Sequence, residues 1–207
     1  MRIAVVTDSE NKAAWLAGGL QEGAEVVWQD QPAIVTGVDV YIDLLYSIVP
    51  QRVEEWAFAT DSLIIINDVL KNNATLPAHY IRMNGWPTFL HRPLTELACR
   101  DEALKEKAEA ALAVFNRTAE WVPDVPGFVS ARVISTIINE AYFSLEEQVS
   151  TKEEIDIAMK LGTNYPYGPF EWAQKIGLQN ICQLLDGLAV ANARYLPATL
   201  LKKEALL

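Results

Sequence analysis

The chain has 207 residues, 51% hydrophobic and 21% charged, which suits a globular protein able to bury one large core or two small ones. Its net charge of −10 argues against nucleic acid or an anionic membrane as partner, because a phosphate surface is repelled on average. Cys99 and Cys182 lie far apart among apolar residues with no metal-ligand spacing, and no apolar leader or membrane-length run is present, so a reducing, cytoplasmic setting is expected.

Residues 2–7 (RIAVVT) form a short β-branched run, as expected for a strand buried on both faces. A helix is predicted over 10–20, with Ala13, Leu16, Ala17 and Leu20 on one side and Gly23 beyond its end. Strands follow at 24–29 and 38–46, then a helix near 50–59 and strands at 62–67, 79–84 and 94–99. Apolar strands alternating with helices indicate a parallel sheet of βαβ units. About 95 residues is short for a full dinucleotide fold of six strands with their crossovers.

Residues 101–116 fit an amphipathic helix, and Glu120 to Val122 an edge strand. Pro123 and Pro126 mark a boundary. From Val129 to Gln148 the apolar stripe is wider than one surface-lying helix requires. Thr151-Lys152-Glu153-Glu154 is a capping-box signature for a helix over 152–161, with Gly162 as its stop. Pro169 after Gly168 suits a helix start, Gly177 its end, and a last helix is predicted over 178–194. Lys202 to Leu207 are expected to fray.

The segment Asp124-Val125-Pro126-Gly127-Phe128-Val129-Ser130-Ala131-Arg132, with Asn139-Glu140-Ala141 after it, resembles the junction of the 3-hydroxyacyl-CoA dehydrogenases, which reads Asp-x-Pro-Gly-Phe-x-x-Asn-Arg. Gly162-Thr163-Asn164-Tyr165-Pro166-Tyr167-Gly168-Pro169-Phe170 is similar to that family's Gly-x-x-x-Pro-x-Gly-Pro element, and Ile176-Gly177-Leu178 to its continuation. The resemblance implies α/β followed by all-α. A shortened Rossmann-like parallel sheet would fill 1–123, and a helical dimerisation domain of the 6-phosphogluconate dehydrogenase C-terminal type 124–207. It also implies a homodimer through the C-terminal helices and an acyl-CoA-like small molecule as ligand.

Members of that family oxidise a 3-hydroxyacyl-CoA with NAD. A His is the base, a Glu orients it, and Ser and Asn hold the substrate oxygen. The resemblance puts Thr7, Ser9 and Lys12 at the three glycine positions of the first turn, with Asp8 and Glu10 where a pyrophosphate would rest. No cofactor is therefore expected, or NAD if the family function persists. Asp30, after the second strand, is either the acid for the adenine ribose or a solvated strand end. The Ser position falls at Ile66, followed by a matching Asn67. The His position falls at Met83, and the Asn before Arg132 is Ala131. Glu96 matches the orienting Glu with one extra residue intervening, and His91, five residues before it, is either a substitute base or a loop histidine. The expected function is a dimeric binding or scaffold protein that has lost hydride transfer, with a divergent oxidoreductase on a 3-hydroxyacyl-CoA or similar hydroxy acid as the alternative.

Overall fold

Alternate residues of the first strand, β1 (Arg2–Val6), point into two different cores: Ile3 and Val5 into one, Ala4 and Val6 into the other. The same division recurs along β3 (Val40–Asp43) and β4 (Leu63–Asn67), which is why these strands read as unbroken apolar runs instead of alternating ones. With β2 (Glu25–Gln29), β5 (Tyr80–Met83), β6 (Leu94–Ala98) and β7 (Thr118–Trp121) they make one seven-stranded sheet in the order β2-β1-β3-β4-β5-β6-β7. Every pairing is parallel except β5 with β6. The order matches the doubly wound arrangement 3-2-1-4-5-6 from its second strand onward. No strand among the described residues lies beyond β2, so the sheet is shortened on that side.

The computed structural model describes residues 1–46, 56, 62–72, 74 and 76–207, and the helix expected near 50–59 falls outside them. One face of the sheet is covered by α1 (Ser9–Trp15) and α2 (Lys105–Ala113), whose Trp15, Ala108, Ala111 and Leu112 join Phe115 in the first core. Trp15 and Phe115 meet at 5.3 Å between ring centres. The Arg117 guanidinium lies 4.1 Å over Trp15 and donates to Thr95 Oγ1 and the Trp15 carbonyl. Burial holds this arginine down at about 10, still charged at neutral pH.

The chain divides into two compact units, Met1–Phe128 and Val129–Leu207. The second is helical: α3 (Ser130–Glu146), α4 (Lys152–Thr163), α5 (Pro169–Ile176), α6 (Leu178–Ala189) and α7 (Thr199–Ala205). Three details differ from expectation. Gly162 lies inside α4, which ends on Asn164 in the left-handed conformation at φ 56°. The predicted helix over 178–194 stops at Ala189, with a 3-10 turn at Ala193–Tyr195. Of the residues expected to fray, Lys202 to Ala205 belong to α7, because Leu201 and Ala205 are buried and Asn139 of α3 clamps the preceding chain. No helix of the described residues is long and apolar enough to cross a membrane.

Candidate active site

Strand order reverses at β1, with β2 on one side and β3 on the other. In open α/β sheets a ligand binds outside the C-terminal strand ends at such a reversal. After β1 the chain enters α1 through Thr7 and Asp8. The Asp8 carboxylate caps the helix: Oδ1 accepts from the Asn11 backbone N–H at 2.8 Å and Oδ2 from the Asn11 side chain at 3.1 Å. Thr7 is buried, and its hydroxyl donates to the Asp8 carbonyl. Lys12 turns its ammonium onto the Trp28 ring at 4.2 Å. Asp30 is exposed at the end of β2.

The ends of β4 and β5 are tied together by Asn67. Its amide N–H groups donate to the carbonyls of Leu44 (3.0 Å) and Gly85 (3.1 Å), and its oxygen accepts from the Gly85 N–H (3.0 Å). A Cβ at Gly85 would stand 2.7 Å from Asn67 Cγ, so only glycine allows this approach. Ile66 is fully buried in the second core and Met83 in the first.

Glu96 is 9% exposed, and the Asn84 amide donates to its Oε2 at 2.8 Å. Their backbones are joined as well, Asn84 N–H to the Glu96 carbonyl at 3.0 Å. His91 sits exposed in the turn before β6. Sequence reasoning overlooked Asn84 because the family motif was aligned on Met83. Shifting the match by one residue, to Asn84, removes the extra residue before Glu96, and that spacing was the available signal. Near the neighbouring strand ends, burial first and the Asp43 carboxylate second push the Tyr80 hydroxyl up to about 12. Tyr46 moves the same way for similar reasons, so neither phenol supplies a base near neutral pH.

The junction segment is anchored within the first unit. Arg82, fully buried, donates to Asp124 at 2.6 Å and to the Asp68 carbonyl at 2.9 Å, with its guanidinium 4.6 Å from the Phe128 ring. Gly127, at φ 83°, donates to the Val69 carbonyl. In the second unit Ala131 is fully buried in α3, and Arg132 lies 5.9 Å from the Tyr195 ring. Asp156 of α4 explains the Gly-Pro element: it accepts from the N–H groups of Phe170 (2.8 Å) and Glu171 (3.1 Å) and so caps α5. A Cβ at Gly168 would fall 2.3 Å from that carboxylate.

A cavity of about 530 Å³ opens within the helical unit, its wall formed by Tyr142, Lys152, Phe170, Gln174, Gln179 and Glu204 among others. Lys152 contacts both Glu204 oxygens (2.7 and 2.8 Å), and the Tyr142 hydroxyl donates to Glu204 at 2.7 Å. Burial pushes Glu204 up, but the bonds from Lys152 and Tyr142 outweigh it and hold the carboxyl below its ordinary value. Among the described residues no group of His, Cys, Asp and Glu could hold a metal ion.

Residues 127–204 match the family model described as 3-hydroxyacyl-CoA dehydrogenase, C-terminal domain. The chain is 31% identical over 191 residues to the 3-hydroxyadipyl-CoA dehydrogenase of Escherichia coli, covering 87% of this chain and 39% of that protein. It is 40% identical over 177 residues to a probable 3-hydroxybutyryl-CoA dehydrogenase of Deinococcus radiodurans, covering 83% and 63%. This chain belongs to the 3-hydroxyacyl-CoA dehydrogenase family. It spans less than two thirds of either relative's length. The fold agrees with the crystal structure of FadB2 from M. tuberculosis at a TM-score of 0.75, with 17% identity over 98% of this chain and 92% of that one. The family is NAD-dependent and pairs a Rossmann domain with a C-terminal helical domain, which is the order of sheet and helices found here.

Proposed function

We propose that this family member has left hydride transfer and serves as a dimeric binding or scaffold protein with an acyl-CoA-like small molecule as its ligand. The observation that carries this reading is the Asp8 carboxylate at the start of α1. A Gly-rich first turn presents bare backbone N–H groups to the cofactor's pyrophosphate. Here a side-chain anion already takes the Asn11 donor, Glu10 adds a second negative charge, and Thr7 and Ser9 carry side chains where glycine gives close approach. These residues do not fit NAD.

The proton-transfer group is missing by the same reading. Asn84 stands in the histidine's place against Glu96, and an amide cannot take up the proton of a hydroxyacyl substrate. The relatives' names supply the ligand class, and the helical unit supplies a cavity of suitable size. Dimerisation is read from the breadth of the apolar stripe on α3, where Val133 and the N-cap residue Val129 remain about half exposed. Calorimetric titration with NADH and with acetoacetyl-CoA tests the function: binding of the thioester without binding or oxidation of NADH is expected. Saturable NADH binding with turnover overturns the reading. Light scattering at micromolar concentration should give twice the chain's mass, and the chain's own mass refutes the dimer.

One observation favours the alternative, a divergent oxidoreductase: Glu96 keeps a buried carboxylate at the end of the sheet. Under that alternative His91→Ala abolishes turnover, whereas unchanged turnover removes His91 as the base.

A further inference from the structure

The shortened sheet leaves β2 as an edge, and the register of β2 specifies what fits it. The Thr7 N–H donates to the Gln29 carbonyl at 2.9 Å, so Gln29 turns both backbone groups toward β1. Backbone direction alternates along a strand, so Val27 and Glu25 do the same while Val26 and Trp28 point outward. Neither Val26 nor Trp28 has an outward hydrogen-bond partner among the described residues. In the doubly wound order a further strand lies on this side. The strand Glu25-Val26-Val27-Trp28-Gln29 itself contains no lysine, no proline and no bulge, three of the devices that blunt a sheet edge.

We propose that this edge pairs with the β2 edge of a second copy, antiparallel about a two-fold axis at Val27. That register sets Val26 opposite the partner's Trp28, and Trp28 opposite the partner's Val26. Both are outward-facing residues, so each pair exchanges two N–H···O=C bonds and the interface contains four. Val27 faces its own symmetry mate as a non-bonded pair, the closer of the two spacings, which suits a β-branched residue. Glu25 falls opposite the partner's Gln29, an acceptor against a donor, so the one charged residue of the strand avoids its own copy. The side chains of Val26, Val27 and Trp28 are half-buried against the two cores, which leaves apolar surface for the incoming strand to cover. Ile34, in the segment after β2 and 52% exposed, adds to it. This surface belongs to the first unit and is independent of any ligand.

Analytical ultracentrifugation of the full chain and three variants tests the proposal. Val26→Pro removes an outward donor and leaves the β1 ladder whole, because only the inward N–H groups of Glu25, Val27 and Gln29 serve that ladder. It should weaken self-association at least about tenfold. Gln29→Glu sets like charges opposite each other and should weaken association about fivefold, while Gln29→Lys should tighten it by a similar factor. The two Gln29 variants lose the same Gln29–Ala33 contact, so opposite effects on association cannot come from that loss. Hydrogen exchange should show the Val26 and Trp28 amides protected only at concentrations where the wild type associates. Self-association that all three substitutions leave unchanged overturns the proposal, because the helical dimer then accounts for all of it. So does a wild type that forms nothing larger than that dimer at about 100 μM.

Discussion

At the scale of single residues, the most demanding position is Gly168. The Asp156 carboxylate must reach two backbone N–H groups at the start of α5, and there is no room beside it for a methyl group. Gly168→Ala should destabilise the protein by about 1–3 kcal/mol through forced displacement of that cap, measured by urea denaturation. The sequence showed that a Gly-Pro pair starts a helix but not why the glycine is needed, since Asp156 lies twelve residues earlier and meets it only in the fold. Asn84 poses the complementary problem. Its role follows from its bond to Glu96, and Asn84→His should place an imidazole against that carboxylate. The new histidine should titrate above its ordinary value of about 6.5, because a nearby negative charge favours the protonated ring. Proton-resonance titration measures this, and adding Glu96→Gln should bring the value down again. An unchanged value on adding Glu96→Gln would mean that the two side chains do not face each other. Asp8→Ala should cost about 1 kcal/mol by loss of an N-cap, read as a lower urea midpoint.

At the scale of elements, most strand and helix positions were legible because their patterns are local. β1, β3 and β4 announced themselves as apolar runs, and Thr151 with Glu154 forms the capping box that their spacing suggests. The tail was not legible. Residues 199–205 form a helix because Asn139 accepts from the Ala198 N–H and donates to the Leu196 carbonyl, fixing the entry to α7 from 59 and 57 residues away. A pattern read over one or two turns cannot contain such a contact. Asn139→Ala should release α7 while the sheet is unaffected. Amides of 199–206 would then exchange faster and those of β3 and β4 would not, since stability is distributed locally. Equal acceleration across both units would show that Asn139 supports the whole molecule. The end of α4 is similar in kind: Asn164 in the left-handed conformation, and not Gly162, closes the helix, because asparagine tolerates that geometry and the helix runs two residues further.

At the scale of the whole molecule, the two units rest on different kinds of contact. The sheet unit buries two apolar layers. The helical unit adds a charged network, Lys152–Glu204–Tyr142, that joins the start of α4, the end of α7 and α3. Glu204 has a lower folded value than its unfolded one, so its contribution is present above the ordinary glutamate value of about 4.3 and is lost as pH falls through the depressed value. Chemical denaturation across acid pH should therefore show the wild type losing an increment of stability below that point. Lys152→Met should be less stable at neutral pH and converge with the wild type in acid. Parallel curves would mean that Lys152 does not depress Glu204.

The sequence by itself determined the class of each half, the family to which they belong and the absence of glycines from the first turn. These are properties of neighbouring residues, and hydrophobic periodicity, caps and short motifs record them directly. Tertiary structure alone decided that Asn67 pins three strand ends, that the Asn84 amide reaches Glu96, and that β2 is left as an edge. Each of these depends on where a side chain or strand finishes relative to partners distant in the chain. Such distances are set by packing and hydrogen bonding across the sheet, which no local pattern encodes.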